Sequence, residues 1–136
     1  MSRSHAGSYK GSKNDCLFCV VRPNELLSEN ESCYASKDAH PVTPQHTLII
    51  PKRHVVDYFD LTELEIVGIH QMLIAMRSRI KNDDLTVKGF NIGVNAGKTA
   101  GQSIPHVHIH LIPRRQGDVE NPQGGVRGVI PDKQKY

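Results

Sequence analysis

The distribution of apolar and polar residues divides the chain into one long helical segment and several short alternating segments. Between Thr62 and about Lys81, apolar residues recur at helical spacing, at Ile66, Ile69, Leu73, Met76 and Ile80. Thr62 and Glu65 have the spacing of a capping box, which predicts that a helix begins after Thr62. We expect this stripe to pack in the core, although a subunit interface would explain it equally well.

The remaining apolar segments have the length and alternation of β-strands. Residues 25–29 and 32–37 are separated by Asn30-Glu31 and predict a hairpin. Residues 46–51 form a β-branched apolar segment that ends at Pro51, and residues 88–95 alternate again. Together with a further alternating segment, they predict an α+β fold, in which a mainly antiparallel sheet of about five strands carries one long helix.

That further segment lies between Gly101 and Pro113, where histidine alternates with aliphatic residues. Successive side chains of a strand point to opposite faces, so the histidines would share one face and the aliphatic residues would enter the core. The histidines are His106, His108 and His110, and the aliphatic residues are Val107, Ile109 and Leu111. This arrangement predicts a chemical role for the histidine face.

Three imidazoles on one face indicate either metal binding or phosphate chemistry. The outer two histidine Cα atoms of a straight strand lie roughly 13 Å apart, whereas zinc ligands lie about 2 Å from their ion. One ion could bind a neighbouring pair, but binding all three would strain the strand. Neutral imidazole is a nucleophile near neutral pH, and protonated imidazole can bind phosphate oxygens or protonate a leaving group. The spacing therefore favours phosphate chemistry.

Composition and charge narrow the function classes. The 136 residues are 38% hydrophobic and 23% charged, which is typical of one globular domain with a substantial core. The net charge of +3 suits a small phosphate compound better than stable nucleic-acid binding. No apolar run reaches the roughly 20 residues that span a bilayer, and the N-terminus lacks the apolar core of a signal peptide. We expect a cytoplasmic protein without a membrane partner.

The domain is expected to span residues 15–136, with an extended C-terminal tail from about residue 116, while residues 1–14 predict a flexible tail. Cys16 and Cys19 have a spacing that suits a metal better than a disulfide framework in a reducing compartment. The alternative is a reduced cysteine pair packed as small hydrophobes, which is also our interpretation of Cys33.

The histidine segment, residues 106–112, resembles the signature of the histidine triad (HIT) family of nucleotide hydrolases and transferases. The resemblance covers about residues 15–115 and includes three further motifs in the family's order, Cys-Leu-Phe-Cys at 16–19, Pro-Gln-His-Thr-Leu-Ile-Ile-Pro-Lys-Arg-His at 44–54 and Ala-Gly-Gln-Ser at 100–103. The stretch at 113–118, Pro-Arg-Arg-Gln-Gly-Asp, resembles the dinucleoside polyphosphate hydrolase branch.

The resemblance implies a reaction and a role for each site residue. His108 would attack the α-phosphorus of a nucleotide and form a nucleotidyl-histidine intermediate that water resolves, while a backbone carbonyl holds its other ring nitrogen. His106 would serve the site structurally. His46 and His110 would contact phosphate oxygens, and Gln102 and Ser103 would contact the transferring phosphate or the leaving group. Asp38 would contact the ribose hydroxyls, at a position where polyphosphate hydrolases often have asparagine.

Several polar residues near these motifs have two interpretations. Asn95 suits a phosphate-binding amide, but capping of a turn would explain it equally well. Four cations, Lys98, Arg53, Arg114 and Arg115, could assist electrostatically, but each is explained more simply as a surface charge.

The resemblance also implies a metal site and a symmetric homodimer. Cys16, Cys19, His54 and His106 would form a closed Cys2His2 zinc site, which is structural and not required for the chemistry. In the family's homodimer, the long helix and a strand pair across the two-fold axis. The predicted function is nucleotide hydrolysis, foremost of dinucleoside polyphosphates. The alternatives are a nucleoside phosphoramidase and a nucleotide-binding scaffold with little catalysis.

Overall fold

The computed structural model describes residues 7–8 and 15–136, and it confirms the predicted α+β fold. The strands are β1 (Gly7–Ser8), β2 (Val20–Val21), β3 (Leu26–Glu29), β4 (Cys33–Lys37), β5 (Thr47–Pro51), β6 (Val87–Val94) and β7 (Ile109–Arg115). Strands β1 and β2 pair with each other, and the other five form one antiparallel sheet in the order β3-β4-β5-β7-β6. The flexible tail expected for residues 1–14 lies, apart from β1, outside the described residues.

The long helix, α1 (Glu63–Asp83), packs on one face of this sheet. Its capping box is present, because the Glu65 backbone N–H donates to Thr62 Oγ1 at 3.1 Å and the Thr62 N–H donates to Glu65 Oε1 at 2.9 Å. The helix extends beyond the predicted end at Lys81. No helix within the described residues is long and apolar enough to cross a bilayer.

The core lies between α1 and the sheet, where strand residues such as Ala35, Ile49 and Leu111 meet helix residues. The predicted stripe is confirmed at Ile69, Met76 and Ile80 and is wrong at Ile66, which is 42% exposed. The first helical turn faces the loop that carries Arg53 and not the sheet, so the buried side chain of that turn is the carboxylate of Glu65. The inward face is completed by Met72.

The histidine segment is only partly a strand. The aliphatic residues Val107, Ile109 and Leu111 are buried in the core as predicted. Strand β7, however, begins at Ile109, so only one of the three histidines lies in regular sheet. Before that point the His106 N–H donates to Ile104 O and the Val107 N–H donates to Val55 O, and these contacts divert the chain from the sheet ladder.

Two further irregular segments precede and follow β7. Gly97 and Gly101, both with φ of 98°, flank a short 3₁₀ helix (Lys98–Ala100) that leads the chain from β6 towards β7. Residues after β7 form a turn and two short 3₁₀ helices, Gly125–Val129 and Pro131–Lys133.

Candidate active site and metal site

The ring orientation of His108 is fixed by the backbone of its own segment. His108 Nδ1 lies 3.0 Å from the carbonyl oxygen of His106. Because a carbonyl oxygen can only accept, this contact assigns the ring proton to Nδ1 and leaves a lone pair on Nε2. The Phe18 ring packs against the imidazole in a T-shaped arrangement, with ring centroids 5.0 Å apart. His108 is thus a buried imidazole whose neutral form keeps Nε2 available for attack.

A second chain of contacts orients His110. The Val42 N–H donates to His46 Nδ1 at 3.1 Å, which assigns the proton of that ring to Nε2. His46 Nε2 then donates to His110 Nδ1 at 2.9 Å. His110 therefore carries its own proton on Nε2 and can donate from that side. Its ring lies next to His108, with centroids 5.3 Å apart.

Burial keeps both supporting histidines neutral near pH 7. It lowers the pKa of His46, and the nearby Asp38 carboxylate, 3.3 Å from His46 Nε2, opposes that shift. Burial also lowers the pKa of His110, with further lowering from charge on His108 and His46, while Asp38 at 4.0 Å again opposes the shift. This neutral state agrees with the proton assignments, in which His46 and His110 each carry one ring proton.

A cleft of about 430 Å³ brings most of the predicted site residues together. Its polar lining includes Asp38, Asn95, Ser103, His108 and His110, and its apolar wall includes Leu17 and Phe18. The volume lies within the usual range for small-molecule sites. His46 lies behind this lining, where it is buried and holds His110.

Gln102 does not line the cleft, because its amide is used within the loops. Its Oε1 accepts from the Gly97 N–H at 2.9 Å, and its Nε2 donates to Val56 O at 2.7 Å and to Ile104 O at 3.1 Å. In this arrangement Gln102 joins three loop segments beside the site. Its contact with a phosphate stays a prediction.

Arg53 and Arg114, two of the four candidate cations, are engaged elsewhere, and Arg115 is engaged by Asp84 and the turn at residues 43–45. Arg53 binds both carboxylate oxygens of Glu65 at 2.8 Å. Arg114 binds Asp118 and Asn91. The described contacts therefore explain these two charges without a phosphate.

The four residues with predicted metal-ligand roles form a separate cluster. Cys19 Sγ lies 3.2 Å from His54 Nδ1 and 3.4 Å from His106 Nδ1, and Cys16 Sγ lies 3.4 Å from the same nitrogen. All four donor atoms lie within 4.8 Å of one another, and His54 is the one ligand that is not buried. Zinc bond lengths of about 2.0–2.3 Å place tetrahedral donors roughly 3.3–3.8 Å apart, so the cluster could hold a metal ion.

His106 has the orientation and charge state of a metal ligand. Its Nε2 donates to Pro51 O at 2.8 Å, which leaves the Nδ1 lone pair facing the cysteines. Burial lowers the pKa of His106 to about 4, so the ring is neutral near pH 7. The first histidine of the segment therefore belongs to this cluster and not to the cleft.

Sequence reasoning missed the role of Phe18. Its ring lies between the cluster and the cleft, 6.3 Å from His106 and 5.0 Å from His108 by ring centroids. Its backbone carbonyl accepts from the Tyr34 hydroxyl at 2.6 Å. The available signal was that Phe18 lies between Cys16 and Cys19 in the sequence. If both cysteines contact one histidine, the position of Phe18 beside that histidine is also fixed.

Comparison with known proteins shows the family of this chain. The HIT domain family matches residues 20–117. A bis(5'-adenosyl)-triphosphatase of Dictyostelium discoideum is 37% identical over 103 residues, which is 75% of this chain and 68% of that protein. The structure of the C. elegans NitFhit protein has a TM-score of 0.71 at 29% identity and covers 91% of this chain and 29% of its own.

A zinc-bound histidine triad family protein from Mycobacterium smegmatis is 37% identical, with a TM-score of 0.57, and covers 68% of this chain and 67% of its own. This similarity agrees with a Cys/His cluster that could hold a metal. The match to the HIT domain extends over most of the chain and includes every histidine of the segment described above. The chain therefore belongs to the HIT family.

Proposed function

We propose that this HIT-family hydrolase cleaves dinucleoside polyphosphates at the α-phosphate through a nucleotidyl-His108 intermediate. The observation that carries the proposal is the contact from His108 Nδ1 to the carbonyl oxygen of His106 at 3.0 Å. It leaves His108 Nε2 unprotonated in a cleft beside a second oriented histidine. The similarity to a bis(5'-adenosyl)-triphosphatase supports the choice of substrate class.

In the proposed reaction, the His108 Nε2 lone pair forms a bond to the α-phosphorus. The bond to the bridging oxygen breaks, and that oxygen leaves with the electron pair as part of a nucleotide. Water then attacks the same phosphorus, the phosphorus–nitrogen bond breaks with its electrons returning to Nε2, the proton that the water loses passes to solvent, and a nucleoside monophosphate is released. His110 Nε2–H and the Ser103 hydroxyl are the donors that would stabilise the developing phosphoryl charge.

The neutral state of the supporting histidines favours an anhydride substrate over a phosphoramidate. An amine leaving group must gain a proton as it departs, whereas a phosphate leaving group, with a last pKa of about 6, departs as a stable anion. Burial lowers the pKa of both His46 and His110, so neither ring is a ready acid near pH 7. The site therefore suits departure of a nucleotide without general-acid catalysis.

The test is a turnover panel of dinucleoside polyphosphates and nucleoside phosphoramidates with the wild type and His108→Ala. We expect the anhydrides to be cleaved faster and His108→Ala to lose about a thousandfold or more of kcat. Glu31→Ala removes an exposed side chain of the β3–β4 turn, outside the cleft and the proposed dimer face, and serves as the control with unchanged turnover. Rapid quenching should trap nucleotidyl-protein in the wild type alone. Undiminished turnover in His108→Ala would contradict the covalent mechanism, and inactive wild type would indicate a nucleotide-binding scaffold.

We also propose that the chain works as a homodimer through the exposed face of α1 and the edge strand β6. Strand β6 ends the sheet order, so one side of its backbone has no neighbouring strand within the described sheet. Val67, Ile74 and Ile92 lie on α1 and β6 and are each about half exposed. A two-fold axis here would cover these side chains and extend the sheet.

Sedimentation velocity tests the dimer. Ile74→Lys should shift the wild-type dimer towards monomer, because a charge would be buried in the interface. Leu85→Lys, at a 78% exposed residue between α1 and β6, is the control and should leave the dimer unchanged. A monomeric wild type, or equal behaviour of the two variants, would contradict this interface.

A further inference from the structure

Arg115, the last residue of β7, holds the loop that precedes His46. Its Nη1 donates to Thr43 Oγ1 at 3.2 Å and to Pro44 O at 3.3 Å, and its Nη2 donates to Gln45 Oε1 at 2.9 Å. Three consecutive residues of one turn are thus bound by a single guanidinium. The side chain is only 17% exposed, so these contacts are partly shielded from solvent.

The other edge of the same guanidinium is fixed to the end of α1. Arg115 Nε and Nη2 donate to Asp84 Oδ2 at 3.2 and 3.0 Å. Asp84 is in turn held by Thr86, whose backbone N–H and hydroxyl both donate to Asp84 Oδ1. Arg115 is therefore anchored to the fixed Asp84 side chain on one side and contacts the turn at residues 43–45 on the other.

The turn that Arg115 holds is strained. Gln45 has a φ of 70° and is the one non-glycine residue with positive φ among the described residues. A side chain with a Cβ adopts this region at a cost, and such a conformation persists where surrounding contacts over-determine it. Here the Gln45 side chain is fixed by Arg115. The Gln45 backbone carbonyl accepts a hydrogen bond from Thr47 Oγ1 at 2.8 Å.

This strained turn sets the orientation of His46. The His46 N–H donates to Thr43 O at 3.2 Å, and the Val42 N–H donates to His46 Nδ1. Both contacts depend on the path of residues 42–46. They direct His46 Nε2–H at His110, which in turn decides which nitrogen of His110 faces the cleft. A relaxed turn would release both rings from this arrangement.

We propose that Arg115 is a positioning residue for the phosphate-binding histidines, acting through the turn at residues 43–45 and the ring of His46. This inference deepens the proposed function and rests on it for its effect on turnover. Arg115 is not a ligand of the substrate, because its donors are used by the turn and by Asp84. Its effect reaches the reacting phosphate through His46 and His110.

The kinetic test compares Arg115→Gln, Arg115→Lys and Asp84→Asn. A misplacement of about 1 Å near reacting groups can cost about a hundredfold in rate, so Arg115→Gln should lower kcat about 10- to 100-fold with KM changed less than about threefold. Arg115→Lys, which keeps the charge without the fork, should fall between Arg115→Gln and wild type. Asp84→Asn weakens the contact of Arg115 with the end of α1 but leaves its three contacts with the turn, and the kcat of this variant should stay within about twofold of wild type.

A double-mutant cycle with His46→Asn separates positioning from general destabilisation. If Arg115 acts through His46, Arg115→Gln should lower kcat less than about threefold further in the His46→Asn background. Full additivity, or a kcat loss in Asp84→Asn equal to that in Arg115→Gln, would overturn the proposal.

The tautomer of His46 can be measured without substrate, so the role of Arg115 can be tested even if the proposed function fails. NMR of nitrogen-labelled histidine rings should show the His46 proton on Nε2 in the wild type and a mixture of tautomers in Arg115→Gln. If wild type cleaves no nucleotide substrate, the proposed function fails, and the His46 tautomer in Arg115→Gln still decides the role of Arg115. An unchanged His46 tautomer in a folded Arg115→Gln protein would refute positioning by Arg115.

Discussion

Glu65→Gln tests how the first turn of α1 is attached to the loop that carries a predicted metal ligand. The carboxylate accepts from Arg53 Nε and Nη2, both at 2.8 Å, and from the Thr62 N–H at 2.9 Å. Arg53 directly precedes His54, so the Arg53–Glu65 pair joins the helix to the Cys/His cluster. Glutamine keeps the length of the side chain and one acceptor, but it loses the charge and one oxygen.

The expected loss of stability follows from these contacts. A hydrogen bond to a charged group contributes about 1.5–3 kcal/mol, whereas the contact from the Thr62 N–H can be kept by glutamine, which also occurs in capping boxes. The Arg53 side chain is 46% exposed, and solvent screening reduces the contribution of its hydrogen bonds. We therefore expect Glu65→Gln to lower the free energy of unfolding by about 2 kcal/mol, which corresponds to roughly 6–8 °C in Tm for a chain of this length.

The effect of Glu65→Gln should depend on pH in a defined direction. The hydrogen bonds from Arg53 are the largest cause of a lowered Glu65 pKa. The stabilisation by the carboxylate is therefore complete above its unfolded pKa of about 4.3 and is lost as pH falls through the lower folded value. The difference between wild type and variant should be constant above about pH 5 and shrink steadily below about pH 4.

The assay is urea denaturation followed by circular dichroism across this pH range, with metal content measured in each sample. Glu63→Gln is the matched control, because Glu63 is an exposed carboxylate of the same helical turn. It should cost less than about 0.5 kcal/mol at every pH. Equal effects of the two variants, or a Glu65→Gln difference that does not shrink in acid, would refute the reasoning.

Two further predictions concern the metal cluster and the contact between α1 and the β3–β4 hairpin. We expect the wild type to bind about one zinc ion per chain in elemental analysis and Cys19→Ser to bind none. Cys33→Ser changes a buried cysteine outside the cluster and should retain the zinc. Zinc retained in Cys19→Ser would argue against a Cys2His2 site. Gly68→Ala should lower stability by about 1–2 kcal/mol in thermal unfolding although alanine favours helices, because the added Cβ would lie 2.6 Å from Ser32 Cβ. Adding Ser32→Gly should recover most of that loss, and a stabilised Gly68→Ala would show that the hairpin yields easily.

Local signals in the sequence predicted most of the fold. The capping box at Thr62 and Glu65 and the alternation of Val107, Ile109 and Leu111 are properties of neighbouring residues, and the structure confirms both. The prediction for Ile66 was wrong because Glu65, through its contact with Arg53, takes the inward position of the first helical turn, and Ile66 lies beside that face. Such a contact between distant parts of the chain leaves no periodic signal.

The site residues divide in the same way. The motif at 106–110 identified the histidines, and the Cys-x-x-Cys motif identified half of the Cys/His cluster that could hold a metal. The contacts that orient these residues are long-range: Asp38 approaches His110, and Arg115 reaches the turn before His46. A single sequence gives the residue types at these positions but not which of them face one another, and so Arg115 was interpreted as a surface charge.

The different roles of the three histidines arise from the point at which the chain enters the sheet. A regular strand would place all three imidazoles on one face at equal spacing. Pro105 has no N–H, and the next two residues donate to Ile104 and Val55, so the sheet ladder cannot extend back to His106. His106 consequently faces the cysteines, while its carbonyl oxygen remains directed at the ring two residues further along. One interrupted strand thereby provides a histidine that could bind a metal, an acceptor that leaves Nε2 of the neutral His108 ring unprotonated, and, at His110, a donor held within the sheet.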